Sequence, residues 1–379
     1  MKMLVLGAGL QGSACAYDLL QTSDAQVTLA DKQIGDLPAF LRPYLGHRLT
    51  ALELDAREQE AVVSTLRSCD AVMCALPYYF NLPVTQAAIE AGVHYCDLGG
   101  NTQIVHDQEA LHGSANDRRI SVVPDCGLAP GLANILAAEC VRRVGGRAHS
   151  VKLFVGGLPQ HPKPPLNYQV VYSLEGALDY YTTPSWIIRE GERMQVEPLT
   201  ELEDVCFPAP LGTLEAFHTG GGLSTMPWAF KGIVQNMEYK TLRYPGHAHI
   251  MKAIRDLGLV DLDPVVVGKV SVRPRDVFVA VVEPHLRHPD AEDLVALRVV
   301  GEGEHDGQPV RAAFRVLDRY DRKVAITAME RTTGYSLSIT GQMQVAGEIA
   351  PGVQPAFQAV PFQPYVDALA RRGIEVVEE

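Results

Sequence analysis

The sequence predicts an α/β fold in two lobes: a Rossmann-type, doubly wound parallel sheet, then an α+β lobe built on a largely antiparallel sheet. Three observations predict it. The apolar run Met3-Leu4-Val5-Leu6 breaks into Gly7, Gly9 and Gly12 and then turns helical. Short apolar runs alternate with helix-periodic stretches as far as Asp125. Beyond Gly127 that alternation gives way to a proline-rich loop and longer extended segments.

The first element carries the most chemistry. A buried strand, a tight glycine turn and a helix start form a pyrophosphate cradle: Gly7 permits the turn, Gly9 lets backbone approach the ligand, and Gly12 lets helix and strand pack closely. Leu10 and Gln11 lie between the second and third glycines. A GxGxxG spacing alone is weak, and its setting decides the matter. Here a strand precedes it, a helix (Ala14 to Leu20) follows, and a second strand, Val27 to Ala30, ends in Asp31, where a carboxylate suits an unphosphorylated ribose 2′-hydroxyl. The expected cofactor is therefore NAD, with NADP open because Lys32 adjoins Asp31.

Strand three is Leu49 to Asp55, whose Asp55 either accepts from an adenine amino group or caps the next helix, marked by Val62, Val63 and Leu66. Strand four, Asp70 to Leu76, is stopped by Pro77, so Ala75, Leu76 and Pro77 belong beside the ribose and nicotinamide. A helix from Asn81 to Ala91, strand five (Val93 to Asp97), a helix from Thr102 to Asn116 and strand six (Ile120 to Asp125) complete the lobe. Asp97, Asp125 and Cys126 fall at carboxyl ends of strands, where open α/β sheets bind ligands. Each carboxylate there serves either as a proton handler or as a cap for a turn or helix.

In the second lobe a helix (Gly131 to Val144) and a strand (Val151 to Val155) precede Leu158 to Pro165, too proline-dense for helix or central strand. Glu238 to Leu242, Val277 to Val282, Leu294 to Val300 and Val310 to Val316 read as strands, with Asp306-Gly307 a hairpin turn between the last two. Thr332 to Ile349 reads as a closing helix with Tyr335, Ile339, Met343 and Ala346 on one face. His218 before a glycine triplet and Arg243 at a strand end are candidates for a base and a carboxylate clamp.

The chain has 379 residues, 47% hydrophobic content and a formal net charge of −12. That size calls for two lobes, and that charge argues against nucleic acid as a partner. No apolar run is long enough to cross a bilayer, and the glycine-broken N-terminus reads as a strand rather than a signal peptide, which predicts a cytoplasmic protein. Seven scattered cysteines without a C-x-x-C pair predict neither zinc nor a disulfide frame, so no metal is expected.

Taken in order, several stretches resemble the saccharopine dehydrogenase superfamily, most closely its lysine 6-dehydrogenase branch. They are Leu4 to Gly9, Thr28 to Asp31, Ala75 to Asn81, Gly92 to His94 with Asp97 to Gly100, and Pro124 to Gly131. Pro164 to Tyr168, Tyr172 to Gly176, Leu214 to Gly222 and Tyr239 to His247 continue the likeness over nearly the whole chain. The resemblance implies a Rossmann domain over residues 1–126, a substrate and dimerisation domain over 127–330, and a segment, 331–379, that returns to the first domain. It also implies a homodimer to which the second lobe's sheet contributes, and it places Arg243 and Cys126 facing substrate near the nicotinamide. The lysine dehydrogenase pattern has an aliphatic residue where this chain has Cys126, whereas saccharopine reductases have cysteine there.

The reaction expected from this resemblance is oxidative deamination of the ε-amino group of L-lysine. Asp97 or Asp125 would be the base with His218 in reserve, Arg243 would hold the α-carboxylate, Glu175 or a second rim acid would meet the α-ammonium, and Tyr168 would belong to the substrate site. A saccharopine or carboxynorspermidine-type reaction at a secondary amine is the alternative, with Arg331 and Lys163 available as a second clamp. A non-catalytic NAD-binding redox sensor is the alternative of another class.

Overall fold

The computed structural model describes residues 1–170, 174–287 and 291–379. Its N-terminal half runs β1 (Lys2–Leu6), α1 (Leu10–Thr22), β2 (Gln26–Asp31), β3 (Leu49–Glu53), α2 (Gln59–Leu66), β4 (Ala71–Cys74), α3 (Asn81–Ala91), β5 (His94–Asp97), α4 (Thr102–Glu109), α5 (His112–Asp117) and β6 (Ser121–Val123). The inner strands β1, β4 and β6 are buried on both faces, so they read as continuous apolar runs, as expected of a parallel sheet covered by helices, while the edge strand β3 is only partly buried. The helix expected over Thr102 to Asn116 is two helices, α4 and α5, broken at Ala110-Leu111.

The chain continues through α6 (Leu132–Arg143), β7 (Ala148–Pro159), α7 (Leu174–Thr182), β8 (Ser185–Arg189), β9 (Glu192–Val196), β10 (Glu203–Phe207), β11 (Gly212–His218), α8 (Met226–Ala229) and β12 (Val234–Arg243). Then come α9 (His247–Asp256), β13 (Val265–Val267), β14 (Val270–Val272), α10 (Pro274–Leu286), β15 (Asp293–His305), β16 (Gln308–Arg319), α11 (Ala328–Val345), β17 (Gly352–Val353), α12 (Ala356–Ala359), α13 (Phe362–Ala370) and β18 (Val376–Glu378).

The first sheet has the order β17-β6-β5-β4-β1-β2-β3 and is parallel throughout. The second has the order β10-β11-β12-β7-β15-β16-β18, with β8 and β9 attached at β12. Its pairs are antiparallel except β12 with β7. Residues beyond Thr327 therefore serve both sheets: β17 extends the first beside β6, β18 extends the second beside β16, and α11 packs on α1, β4 and β5. The Thr327 hydroxyl and Glu330 carboxylate close a reciprocal capping box at the start of α11.

Two expectations fail for physical reasons. Val277 to Val282 lies inside α10, not in a strand. Pro274 and Asp276 start that helix well, and Phe278, Val279 and Val282 pack against the cluster formed with α7 and α9, so tertiary burial overrides the β-branched composition. Leu158 and Pro159, read as loop, are the last residues of central strand β7, where Pro159 faces Asp293 at the strand's very end.

Candidate functional site

The glycine turn is built as its sequence demands. Gly7 sits at φ +101°, and a Cβ there would lie 2.8 Å from the Ala75 carbonyl oxygen. A Cβ on Gly12 would lie 1.8 Å from the Gly7 oxygen, so that position admits no side chain. In front of Gly9, by contrast, space is open: no atom lies within 4 Å of a Cβ built there. Gly9 is the N-cap of α1 and offers no side-chain cap, which leaves the first amides of the helix to an external acceptor. The Gln11 side-chain amide is buried with neither its nitrogen nor its oxygen hydrogen-bonded among the described residues, and Leu10 is exposed. An open cradle and an orphaned amide are what a bound dinucleotide would fill.

Asp31 ends β2 with its Oδ2 accepting the Ala8 amide at 2.8 Å, so the carboxylate expected to read the ribose is pinned to the glycine turn. Asp55 neither caps α2, whose N-cap is Glu58, nor stands free for adenine. It pairs with Arg57, which holds its carboxyl down at about 2.

A cleft of about 580 Å³ opens where the two lobes meet. Gln11, Ala75, Leu76, Pro77, Leu98 and Gly99 line its first-lobe wall, and Glu175, Tyr180, Tyr181, Tyr239, Thr241 and Arg243 its other wall. Met329 and Thr333 of α11 complete it.

The rim acids separate into different roles. Asp97 is fully buried and fully used: Oδ1 accepts the Gly99 amide at 2.7 Å and the Asp125 amide at 3.3 Å, and Oδ2 accepts Gln108 Nε2 at 2.7 Å. It shapes the turn instead of facing the cleft. Asp125 sits at φ +65° directly behind the cleft wall, close enough that a Cβ on Gly99 would strike its Oδ1 at 2.0 Å. Neither of its carboxylate oxygens has a hydrogen-bond partner among the described residues. Burial raises its pKa to about 7, with nearby Ser224 offsetting part of the rise and Asp97 adding to it. Cys126 is one residue further and points the other way. It belongs to the apolar core, with Sγ 3.1 Å from the Val123 carbonyl, so the expectation that it faces substrate is corrected.

In the second lobe, Arg243 is the anchored cation. It is buried, its guanidinium carbon lies 4.7 Å from the Tyr168 ring centroid, and its NH1 donates to the Leu242 carbonyl at 2.9 Å. Its Nε donates to the Tyr181 hydroxyl at 3.2 Å, which lies 3.0 Å from His247 Nε2. His247 Nδ1 is 3.0 Å from the Leu166 carbonyl, which can only accept, so Nδ1 carries the proton. Burial, then the Arg243 charge, lower the His247 pKa to about 3. The imidazole is therefore neutral, Nε2 accepts, and the whole chain from Arg243 through Tyr181 to His247 has one polarity. Tyr168 itself stands behind Arg243, and Glu175 is exposed at the cleft mouth.

His218 is not brought to the cleft. Thr219, just past β11, lines the cleft, whereas His218, the last residue of β11, lies on the opposite sheet face, where Nε2 is 3.2 Å from Glu201 and 3.6 Å from Glu238. Its role as reserve base is thereby corrected. These three side chains have ligand-type spacing, but Arg189 already bridges Glu201 at 2.7 Å and Lys152 bridges Glu238 at 3.0 Å. The glycine triplet also has a structural cause: a Cβ on Gly222 would enter the Tyr239 ring at 2.4 Å. Tyr180, Tyr181, Tyr239 and His247 were not singled out from sequence. Tyr239 and Thr241 had a usable signal, since a strand places them on the Arg243 face. Tyr172 and Ser173 of the resembling motif lie outside the described residues.

Comparison with known proteins identifies the family and agrees with the fold. Residues 3–123 match the saccharopine dehydrogenase NADP binding domain and residues 127–374 the saccharopine dehydrogenase C-terminal domain. The chain is similar to mouse mitochondrial alpha-aminoadipic semialdehyde synthase, 25% identical over 269 residues, a match covering 69% of this chain and 28% of that protein. It is similar to the yeast (Saccharomyces cerevisiae) saccharopine dehydrogenase [NADP(+), L-glutamate-forming], 26% identical over 281 residues, covering 69% of this chain and 59% of that one. The chain thus spans only part of the curated relatives it matches. A solved structure of apo saccharopine dehydrogenase (L-Glu forming) from Saccharomyces cerevisiae has the same fold, with a TM-score of 0.80 at 20% identity over 100% of this chain and 99% of that one. The first lobe matches an NADP binding domain, so its cofactor is a nicotinamide dinucleotide, and with domain models matching from residue 3 to residue 374 the chain belongs to the saccharopine dehydrogenase family.

Proposed function

We propose that the protein catalyses NAD-dependent oxidative deamination of the ε-amino group of L-lysine, giving 2-aminoadipate 6-semialdehyde, ammonia and NADH. One observation carries this reading: among the described residues lining the cleft, Arg243 is the single cationic side chain. One guanidinium suits a substrate with one carboxylate. Bound NAD+ supplies the acceptor for the hydride that leaves the nitrogen-bearing carbon.

The chain's own residues do the rest. Arg243, backed by Tyr168 and Tyr181, holds the α-carboxylate, and Glu175 at the cleft mouth meets the α-ammonium. The ε-amine titrates near ~10.4 in water and must be neutral before hydride leaves. The apolar walls at Leu76, Leu98 and Leu128 disfavour its charged form, and Asp125, poised near neutrality just behind the wall at Gly99, takes its proton when that wall shifts to admit contact. Water then adds to the resulting substrate imine, and ammonia leaves. Asp31 supports NAD over NADP, because a 2′-phosphate would meet a carboxylate pinned in place.

A second reading, oxidation of a secondary amine such as saccharopine, is favoured by the names of the relatives. It calls for another clamp on a multiply carboxylated substrate. Arg331 is committed to Asp318 at 2.8 Å, and Lys163 lies on an exposed loop that does not line the cleft. Purified protein with NAD or NADP and L-lysine, L-ornithine or saccharopine, followed by NADH absorbance, separates the two. Turnover of saccharopine without turnover of lysine rejects the first reading.

A further inference from the structure

Asp125 is buried, so a proton it takes from substrate needs a route out before the next turnover. Buried polar side chains ordinarily find partners. Around Asp125 several do not: both of its carboxylate oxygens, Ser224 Oγ, Thr225 Oγ1 and His106 Nε2 are enclosed and unpartnered among the described residues. Ser224 and Thr225 are 5% and 2% exposed and lie outside the cleft lining. An unpaired buried hydroxyl costs stability, but it is also uncommitted, free to turn between rotamers and hand a proton on.

These side chains form a series. Burial raises the Asp125 pKa; Ser224 lies near enough to offset part of that rise, and the Glu109 charge, after that of Asp97, adds to it, so both ends of the series lie close to the carboxyl. Thr225 follows Ser224, and its carbonyl accepts the Trp228 amide at 3.0 Å. The Trp228 ring meets His106 edge to face, with centroids 4.7 Å apart. On α4, His106 Nδ1 is 2.8 Å from Glu109 Oε2. A carboxylate only accepts, so Nδ1 carries the proton and the lone pair of Nε2 is on the enclosed side. The outer end opens to water, for the His106 and Glu109 side chains are 27% and 32% exposed. Asn134 holds the backbone beside Ser224, donating to the Gly222 and Leu223 carbonyls at 3.0 and 3.3 Å.

We propose that Ser224, Thr225 and the His106–Glu109 pair form the outlet through which Asp125 returns its proton to solvent. The inference rests on Asp125 as the cleft's base. The Asp125 O–H bond breaks as Ser224 Oγ takes that proton and passes its own to Thr225 Oγ1, which passes its own to His106 Nε2. The imidazolium so formed releases its Nδ1 proton to Glu109 and water. No electrons are transferred, each hydroxyl keeps one proton, and the carboxylate is regenerated. His106 and Glu109 belong to the first lobe, Ser224 and Thr225 to the second, so the outlet is complete only while the lobes stay together.

The test is hydrogen–deuterium exchange of the Asp125 carboxylic acid in the full chain without cofactor, followed by time-resolved infrared spectroscopy after dilution into D2O at about pD 5.5, below the Asp125 midpoint. Loss of the acid's carbonyl band in Asp125→Asn identifies it. In Thr225→Val and in His106→Ala that band should shift about tenfold more slowly than in the parent, and added imidazole should restore the rate in His106→Ala. Thr225→Val keeps shape while removing an unpaired hydroxyl, so a purely structural role predicts no slowing there, and circular dichroism reports folding of both variants. Equal exchange rates in the parent and the two variants overturn the inference, as does slowing in His106→Ala that imidazole leaves unchanged. The exchange is read without substrate, so it stands or falls apart from the lysine reading. Absence of an Asp125 acid band in the parent removes base and outlet together.

Discussion

Asp125→Asn is the sharpest probe of the site, because it removes a charge while keeping shape, and Asn tolerates the left-handed backbone at φ +65°. Burial lifts this carboxyl from 3.8 to about 7. The folded chain therefore holds its proton more tightly than the unfolded chain does. The associated stability is fully present below about pH 4 and is lost as pH rises through about 7, beyond which nothing more changes. Some two units of that shift fall between pH 5 and 7, and at 1.36 kcal/mol per unit they amount to about 3 kcal/mol. Denaturant unfolding of the cofactor-free protein at pH 5 and pH 8 should show the variant gaining about 3 kcal/mol on the parent over that interval, since all other titrating groups cancel in the comparison. Kinetically, the parent's kcat/KM should climb with pH up to about 7 and the variant's should be low and without that limb. Parallel stability profiles, or an unchanged kinetic limb in the variant, would refute the assignment of Asp125 as the cleft's base.

Arg243→Ala should raise KM for the amino acid at least tenfold, a loss of ~1.4 kcal/mol or more, with KM for NAD unchanged; equal rises in both would remove Arg243 from the substrate site. Tyr181→Phe and His247→Phe each break the same polarised chain, so each should raise the amino-acid KM several-fold and the double variant no further, and additive effects would show two separate roles. Asp31→Ser should shift the NAD to NADP ratio of kcat/KM toward NADP by about tenfold or more. An unchanged ratio would mean that ribose is read elsewhere.

The parallel sheet was legible because strands buried on both faces write themselves as apolar runs, and because the glycine turn is a local constraint that Gly7 and Gly12 satisfy within a dozen residues. Helix α10 was illegible for the converse reason. Val-Phe-Val-Ala-Val-Val carries strand composition, and only packing against α7 and α9 selects the helix. At the site, the cradle from Gly7 to Gly12 could be read as a turn because its residues are consecutive. Arg243 could be read as a cation at a strand end. His218 and Cys126 could not be placed, since alternation in a strand or turn fixes relative faces but not which face the partner lobe will cover. Asp97 and Asp125 looked equivalent in sequence. Three hydrogen-bond donors at one and none at the other made them different: the Gly99 amide just past β5, the Asp125 amide just past β6 and the Gln108 side chain on α4 all converge on Asp97, and only the folded arrangement shows that they do.

The buried pair between Asp18 and Arg372 joins α1 to the loop that ends α13, with contacts of 2.7 and 2.8 Å across 354 residues of sequence. Since α1 is the helix whose first turn would cradle the dinucleotide, the footing of that cradle depends on a residue 354 positions further along the chain. A nascent chain has its glycine turn early but not the brace that steadies it, so the first lobe matures only after Arg372 has emerged. A lesion such as Arg372→Ala would strand an uncompensated carboxylate beneath α1, and it would be recorded in an assay as weak cofactor binding by a protein whose cofactor motif is intact.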